Sequence, residues 1–407
     1  MPSLYLKIQK IDNLGYFIGS PNLSLMSKAV APAPSGTLLK DDKTPTQRLL
    51  SLDVLRGITI AGMIIVNTPG SWEHAYAPLR HAEWNGLTPT DLVFPFFLFM
   101  VGISITLALG KRVKQGGARS GVVGKIVKRF LIILALGLFL ALFPDFDFAN
   151  LRVAGVLTRI ALVYLVCSLF FLQLSWRAVA ALSGFLLVAY WLMMVLLPVP
   201  GVGPATLEPA TNLAAWLDRL LVPGRLYRGT WDPEGLLSTL PAIVTGFTGV
   251  LTGYWLRTSR RAEEKIIGMM VAGVLACLVG YLWHQGFPIN KNLWTSSYVL
   301  VSSGMALLLL GTLYWLVDVL HYQRWTPFFV AFGMNAITAY VLHGVLIDAF
   351  HIPLNAAGDT LQEESFQGLV AVGLALPLAS LVWSVLYLLL CFVPIWIMYR
   401  RHIIVKI

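Results

Sequence analysis

Apolar stretches near the length of a membrane-crossing helix recur ten times, at about 50–67, 91–109, 127–144, 153–172, 178–198, 236–256, 266–284, 296–317, 328–349 and 369–398. A helix rises ~1.5 Å per residue, so roughly 20 apolar residues cross the hydrocarbon core of a bilayer. No water reaches the backbone there, and a helix satisfies every N–H and C=O within its own segment. The expected fold is an all-α integral membrane protein, a bundle of about ten transmembrane helices. Composition excludes a soluble domain: 57% of residues are hydrophobic and 12% are charged, with a mean hydropathy of +0.73, where soluble domains carry ~25% charge. Pro377 and Pro394 lie in the last stretch, and either is expected to kink it.

Lys and Arg placement sets orientation, because cytoplasmic loops near helix ends are enriched in both. Lys40, Lys43 and Arg48 precede the first stretch. Lys111, Arg112, Lys114, Arg119, Lys125, Lys128 and Arg129 crowd between the second and third. Arg257, Arg260, Arg261 and Lys265 follow the sixth, and Arg400, Arg401 and Lys406 end the chain. Asp145, Asp147, Asp359, Glu363 and Glu364 occupy opposite loops. With ten spans all four basic clusters share one face, which puts both termini in the cytoplasm. The net charge of +10 is thus a topology signal, not a nucleic-acid one. The basic loops are first anchors for anionic headgroups of membrane lipids; a grip on an anionic cofactor is the alternative. Cys167, Cys277 and Cys391 lie in apolar stretches without paired spacing, so neither a disulfide framework nor a metal site is expected.

Residues 1–47 contain no spanning run and no signal-peptide pattern. Their Ala, Pro, Ser, Thr and Lys content favours a disordered tail ahead of a membrane domain over 48–407, with Met26 as an alternative start. In the stretch 198–235, Leu213, Trp216, Leu217, Leu220 and Leu221 fall at helical spacing, which predicts a short interfacial helix.

Polar groups within spans are expensive and mark candidate sites. Asp53 and Arg56 are i,i+3 neighbours near the start of the first span, and Asn67 lies eleven residues beyond Arg56, roughly 16 Å along a helix. Asp91 opens the second span on that same far side. Between them runs the polar segment Arg80-His81-Ala82-Glu83-Trp84-Asn85-Gly86-Leu87-Thr88. A titratable His ten residues before an Asp at a helix start suggests acid–base chemistry at a bilayer surface. Topology brings Asn67, His81 and Asp91 to one level; spacing does not say whether they touch. Arg159 sits in an apolar stretch and needs a partner or a wet cavity. Asp232 reads equally as a helix cap. Lys291 and Trp294 read as an interfacial belt, and Asn335 with His343 as helix–helix hydrogen-bonding groups.

These residues carry a resemblance. Ser51-Leu52-Asp53-Val54-Leu55-Arg56-Gly57 to Asn67, His81-Ala82-Glu83-Trp84-Asn85-Gly86-Leu87-Thr88 to Asp91-Leu92-Val93-Phe94-Pro95, Asp232-Pro233-Glu234-Gly235-Leu236-Leu237 and Asn290-Lys291-Asn292-Leu293-Trp294 follow in order. Over roughly residues 48–400 the chain resembles the heparan-α-glucosaminide N-acetyltransferase family, closest to its bacterial NagX-type branch. The resemblance implies a transmembrane acetyltransferase of a bacterial inner membrane. It would move acetyl from cytoplasmic acetyl-CoA to the amine of a glucosamine-type sugar on the far side. It gives His81 the catalytic place, as base or acetyl carrier, with Asp91 and Asn67 beside it. No counterpart of the lysosomal enzyme's luminal domain precedes the bundle, so heparan sulfate is not the expected acceptor.

The chemistry suits these residue types. An imidazole with pKa near ~6.5 accepts a proton from an amine near neutral pH. Asp91 would hold its tautomer, and Asn67 would donate to the oxyanion formed on the thioester. The residues expected along acetyl-CoA are Arg56, Arg159, Lys125, Arg129, Asn292 and Trp294; those expected at the sugar are Trp84, Asn85, Asp232, Glu234 and Lys291. No metal is expected, and a homodimer is compatible with the resemblance. An amino-sugar transporter is the rival reading, although no internal repeat relates the two halves; an O-acyltransferase of envelope glycans is a third.

Overall fold

The computed structural model describes residues 49–114, 119–354 and 358–405, with the side chains of 111–120 left aside. The expected tail and Met26 lie outside the described residues, as do Lys40, Lys43, Arg48 and Lys406. The described chain is helical throughout: α1 (Leu50–Asn67), α2 (Val93–Lys114), α3 (Arg119–Leu142), α4 (Val156–Gln173), α5 (Trp176–Leu196), α6 (Leu213–Leu221), α7 (Thr239–Leu256), α8 (Ala262–Trp283), α9 (Ser296–Leu313), α10 (Pro327–Met334), α11 (Ala336–Phe350), α12 (Leu361–Ala371) and α13 (Leu376–Arg400). Among the described residues, the short helical turns Ala77–Leu79, Pro89–Leu92 and Tyr314–Val319 and a few isolated bridges accompany them.

Among the described residues, seven helices are long and apolar enough to cross a membrane: α1, α2 with the turn before it, α4, α5, α8, α9 with the turn after it, and α13. The bent pair α10–α11 adds an eighth if its two halves form one broken span. α3 and α7, also expected to span, dilute their hydropathy for different reasons. α3 carries Lys125, Lys128 and Arg129 in its first half, whereas α7 is rich in Thr and Gly and is buried along most of its length.

Two stretches are not the single helices the sequence suggests. The stretch 328–349 bends by 85° at Asn335, whose amide donates to the Ile403 carbonyl (3.1 Å) and accepts from the Val405 N–H (3.1 Å). The stretch 369–398 is divided by Gly373, which sits at φ +94° in a region open mainly to glycine. Pro377 does not kink this stretch; it starts α13, where its missing N–H is harmless. Pro394 stays inside the helix. The short helix expected in 198–235 is α6.

Small residues let backbones meet, as in other membrane bundles. A Cβ on Gly57 would fall 1.8 Å from the Phe329 carbonyl oxygen, where α1 crosses α10. At the α2–α7 crossing, Cβ atoms on Gly102 and Gly249 would fall 2.0 and 1.9 Å from backbone oxygens of the facing helix. α1 therefore runs locked between neighbours, with Arg56 near its start and Asn67 at its end.

Candidate active site

A short turn, Pro89–Leu92, carries Asp91 into the bundle. Thr88 caps it: its N–H and hydroxyl both donate to Asp91 Oδ2 (3.0 and 2.9 Å) in a capping box of the kind Thr-x-x-Asp encodes. Ala82 N–H adds a third bond to that oxygen (3.1 Å). The Tyr298 hydroxyl donates to the Asp91 carbonyl (2.6 Å). The remaining oxygen, Oδ1, lies 2.7 Å from His81 Nδ1. An ionised carboxylate only accepts, so Nδ1 carries the proton and Nε2 bears the lone pair. Asp91 is 1% exposed while the His81 side chain is 40% exposed. The carboxylate is the buried anchor and the imidazole the reacting surface.

Lys291 Nζ stands 3.0 and 3.2 Å from the two ring nitrogens of His81 and 3.8 Å from Asp91 Oδ1. Burial works to lower its pKa and prevails over the Asp91 charge, which favours the ammonium. The loop bearing Lys291 is stitched to the His81 loop twice. Asn290 Nδ2 donates to Asn85 Oδ1 (3.1 Å), and Gly86 N–H donates to the Ile289 carbonyl (2.8 Å). Trp294 in this loop holds φ +53°, a strained state for a bulky residue, worth about 1–3 kcal/mol, that persists only when its surroundings over-determine it. They do: its Nε1 donates to Thr245 (3.0 Å), the rings of Phe94 and Tyr298 pack edge-on, and Arg159 lies over its face.

The third wall comes from the segment before α7. Arg152 holds Asp232 with two hydrogen bonds (2.8 and 2.7 Å) and reaches Glu234 (2.6 Å), with its guanidinium over Tyr227. Burial opposes its charge, but Asp232 and Glu234 outweigh burial and raise its pKa. Asp232 also accepts N–H bonds from Tyr227 and Glu234, so it acts as a loop brace. Glu234 keeps a face to the cavity.

These walls enclose a cavity of about 420 Å³ lined by Asn67, His81, Trp84, Arg152, Glu234, Lys291 and Asn292, among others. A second cavity, about 290 Å³, is lined by Arg56, Ser104, Arg129, Tyr164, Ile404 and Val405. Phe97, Ile133, Ile160 and Ile337 line both. Arg56 donates to Asp53, Gly333 and Ser104. Arg129 lies over Tyr164, and its Nε is buried with no hydrogen-bond partner.

The structure thus joins His81 to Asp91 and brings Asn67, Trp84, Glu234, Lys291 and Asn292 to the same cavity. Asn85 and Asp232 brace the loops behind it. Arg56 and Arg129 meet in the second cavity. Arg159 lines neither: it is buried against Gly235 and Ser238 (3.0 Å to the Gly235 carbonyl), with Nε and Nη1 unpartnered. Trp294 packs behind, and Lys125 is exposed on α3. Arg152 and Arg228 are cavity-lining cations that reading the sequence missed, and Arg152 is the one paired to Asp232 and Glu234. Its partners lie eighty residues on, and the only available signal was a lone arginine in a loop otherwise bearing acids.

The sequence model of the family described as "Heparan-alpha-glucosaminide N-acetyltransferase, catalytic" matches residues 48–286, which carry Asn67, His81, Asp91, Arg152 and Glu234 but not Lys291 or the α11 residues Ile337 and Tyr340. The heparan-alpha-glucosaminide N-acetyltransferase of Mus musculus is 30% identical over 402 aligned residues, covering 84% of this chain and 60% of that protein. The Homo sapiens protein of the same name is 30% identical over 401, covering 83% and 59%. The chain thus spans about three-fifths of the length of the curated relatives it matches. With more than half of its residues under that family model, the chain belongs to the heparan-alpha-glucosaminide N-acetyltransferase catalytic family.

Proposed function

We propose that this chain is a membrane acetyltransferase that takes acetyl from acetyl-CoA at the cytoplasmic face and places it on the amine of a glucosamine-type sugar at the other. One observation carries the reading. The His81–Asp91 pair and the Arg56–Arg129 pair occupy two cavities that share one apolar wall. Adding α3 and α7 to the eight spans gives the ten-span topology, which returns both termini to the side of the basic loops. The cavity with Arg56 and Arg129 then opens toward the donor, and the His81 cavity toward the acceptor.

Arginines suit the phosphates of CoA because their planar donors match phosphate oxygens, and the apolar wall suits the uncharged pantetheine arm. In the other cavity Glu234 offers a carboxylate to the ammonium of the sugar, and Trp84 and Trp231, ring against ring at 5.0 Å, offer flat apolar faces to its ring. His81 Nε2 takes the proton as the amine attacks. Asp91 holds the imidazole and offsets the charge it gains. Asn67 or Lys291 supplies the donor to the developing oxyanion. An acetyl-histidine and a direct transfer both fit this set.

Purified protein should release CoA only when glucosamine and acetyl-CoA are both present. Accumulation of radiolabelled N-acetylglucosamine in proteoliposomes without acetyl-CoA, and no CoA release, would instead make the protein a transporter. Glu234→Gln should raise KM for the sugar about tenfold, since a charge-assisted contact contributes ~1.5–3 kcal/mol, with KM for acetyl-CoA unchanged. Arg129→Met should raise KM for acetyl-CoA by a similar factor and leave the sugar KM alone. Equal changes in both constants in either variant would show that the two cavities do not divide the substrates.

A further inference from the structure

The reaction proposed above needs an amine beside His81 Nε2, and one is already there. Lys291 Nζ lies 3.2 Å from that nitrogen and 3.0 Å from Nδ1, over the face of the ring, and lines the same cavity, next to the position an acceptor amine must take to surrender its proton. Resting on that reading, we propose that Lys291 is itself an acetyl acceptor: without a sugar in the site, the protein acetylates its own Lys291 and so switches itself off.

The step balances without a further reactant. The neutral ε-amine attacks the acetyl carbonyl, a C–N bond forms and the C–S bond of acetyl-CoA breaks. The proton leaving the amine passes to His81 Nε2 and from there to the departing thiolate. The products are Nε-acetyllysine and CoA. Burial already favours the neutral amine that this attack requires. If acetyl-histidine forms first, the same amine is placed to take the acetyl from the imidazole. Either route ends in an amide, which has no reverse path in this cavity.

The consequences follow from geometry. An acetylated Lys291 loses the charge it directs at Asp91, 3.8 Å away, and adds an acetyl group beside the His81 ring. The sugar amine can then no longer reach Nε2. The other lysines whose side chains are described, Lys125, Lys128 and Lys265, line neither cavity, so His81 cannot assist their reaction.

The test uses the full-length protein in lipid nanodiscs, isotopically labelled acetyl-CoA and peptide mapping by mass spectrometry, with glucosamine turnover measured on the same preparation. Incubation without sugar should place one label on Lys291 and reduce later turnover in proportion. Glucosamine added together with acetyl-CoA should suppress the label. His81→Gln should acquire it about 100-fold more slowly, the scale of a lost general base, and Lys291→Arg not at all. An unlabelled Lys291 in a preparation that acetylates glucosamine overturns this inference and leaves the proposed function standing. Labelling undiminished in His81→Gln is simple chemical acetylation and also overturns it. Neither label nor glucosamine turnover overturns both.

Discussion

His81→Ala is expected to lower turnover by about 10²–10⁴-fold, the range a positioned general base contributes. The size follows from its isolation. Among the described residues, His81 is the only histidine that lines either cavity. The fold should survive, because Asp91 keeps three donors from Thr88 and Ala82 and Lys291 stays within reach of its charge. Acetyl-CoA should bind with unchanged affinity, since its proposed contacts lie in the other cavity. CoA release against glucosamine, paired with equilibrium binding of acetyl-CoA, separates these claims. Turnover near wild type would remove His81 from the chemistry. Asp91→Asn should show a related but distinguishable loss: an amide nitrogen facing Nδ1 would impose the wrong tautomer on the imidazole, and the opposite flip would set that nitrogen against the Thr88 and Ala82 donors.

Gly249→Ala should be among the costliest single methyls that could be added to the bundle. The new Cβ would stand 1.9 Å from the Phe99 carbonyl oxygen and 2.8 Å from its carbon. These are backbone atoms of a packed helix, which no rotamer change can relieve. Overpacking ordinarily costs about 1–3 kcal/mol, and forcing α2 from α7 should reach or exceed the upper end. α2 begins at Val93, directly after the turn that holds Asp91, so displacement here reaches the site as well. Size-exclusion profiles and thermal unfolding in detergent would show it as lost monodisperse protein and a lower Tm. Gly184→Ala is the control: on α5, with nothing within 4 Å of its Cβ, it should be neutral or slightly stabilising from helix propensity. Equal behaviour of the two variants would mean that α2 and α7 do not depend on this contact.

Helices were legible in the sequence wherever apolar residues ran unbroken, because a bilayer leaves the backbone no other choice. The breaks were less legible. Asn335 bends its helix by bonding to Ile403 and Val405, nearly seventy residues away, and no local pattern reports such a partner. Gly373 looks like any other glycine in an apolar run until its backbone conformation is known. The site shows the same division. Thr88-x-x-Asp91 before an apolar stretch is a readable cap, and it is what turns Asp91 toward His81. By residue type alone Lys291 read as a membrane-interface lysine, and only the family resemblance put it at the sugar, since its contact with His81 depends on two loops 210 residues apart being joined through Asn85 and Asn290. Arg159 drew attention as a charge in a span, yet it is buried against the loop that leads into α7.

The shared wall of Phe97, Ile133, Ile160 and Ile337 also bears on the membrane as a whole. A septum of hydrocarbon side chains is an electrical insulator. Carrying one elementary charge through a field of 100 mV involves about 2.3 kcal/mol, whereas an acetyl group has no charge for the field to act upon. In the proposed reaction the acetyl group crosses in exchange for the amine proton that the departing thiolate takes up, so no net charge crosses. The bundle can then join two aqueous compartments chemically without shunting the voltage between them, and its turnover should be indifferent to membrane potential.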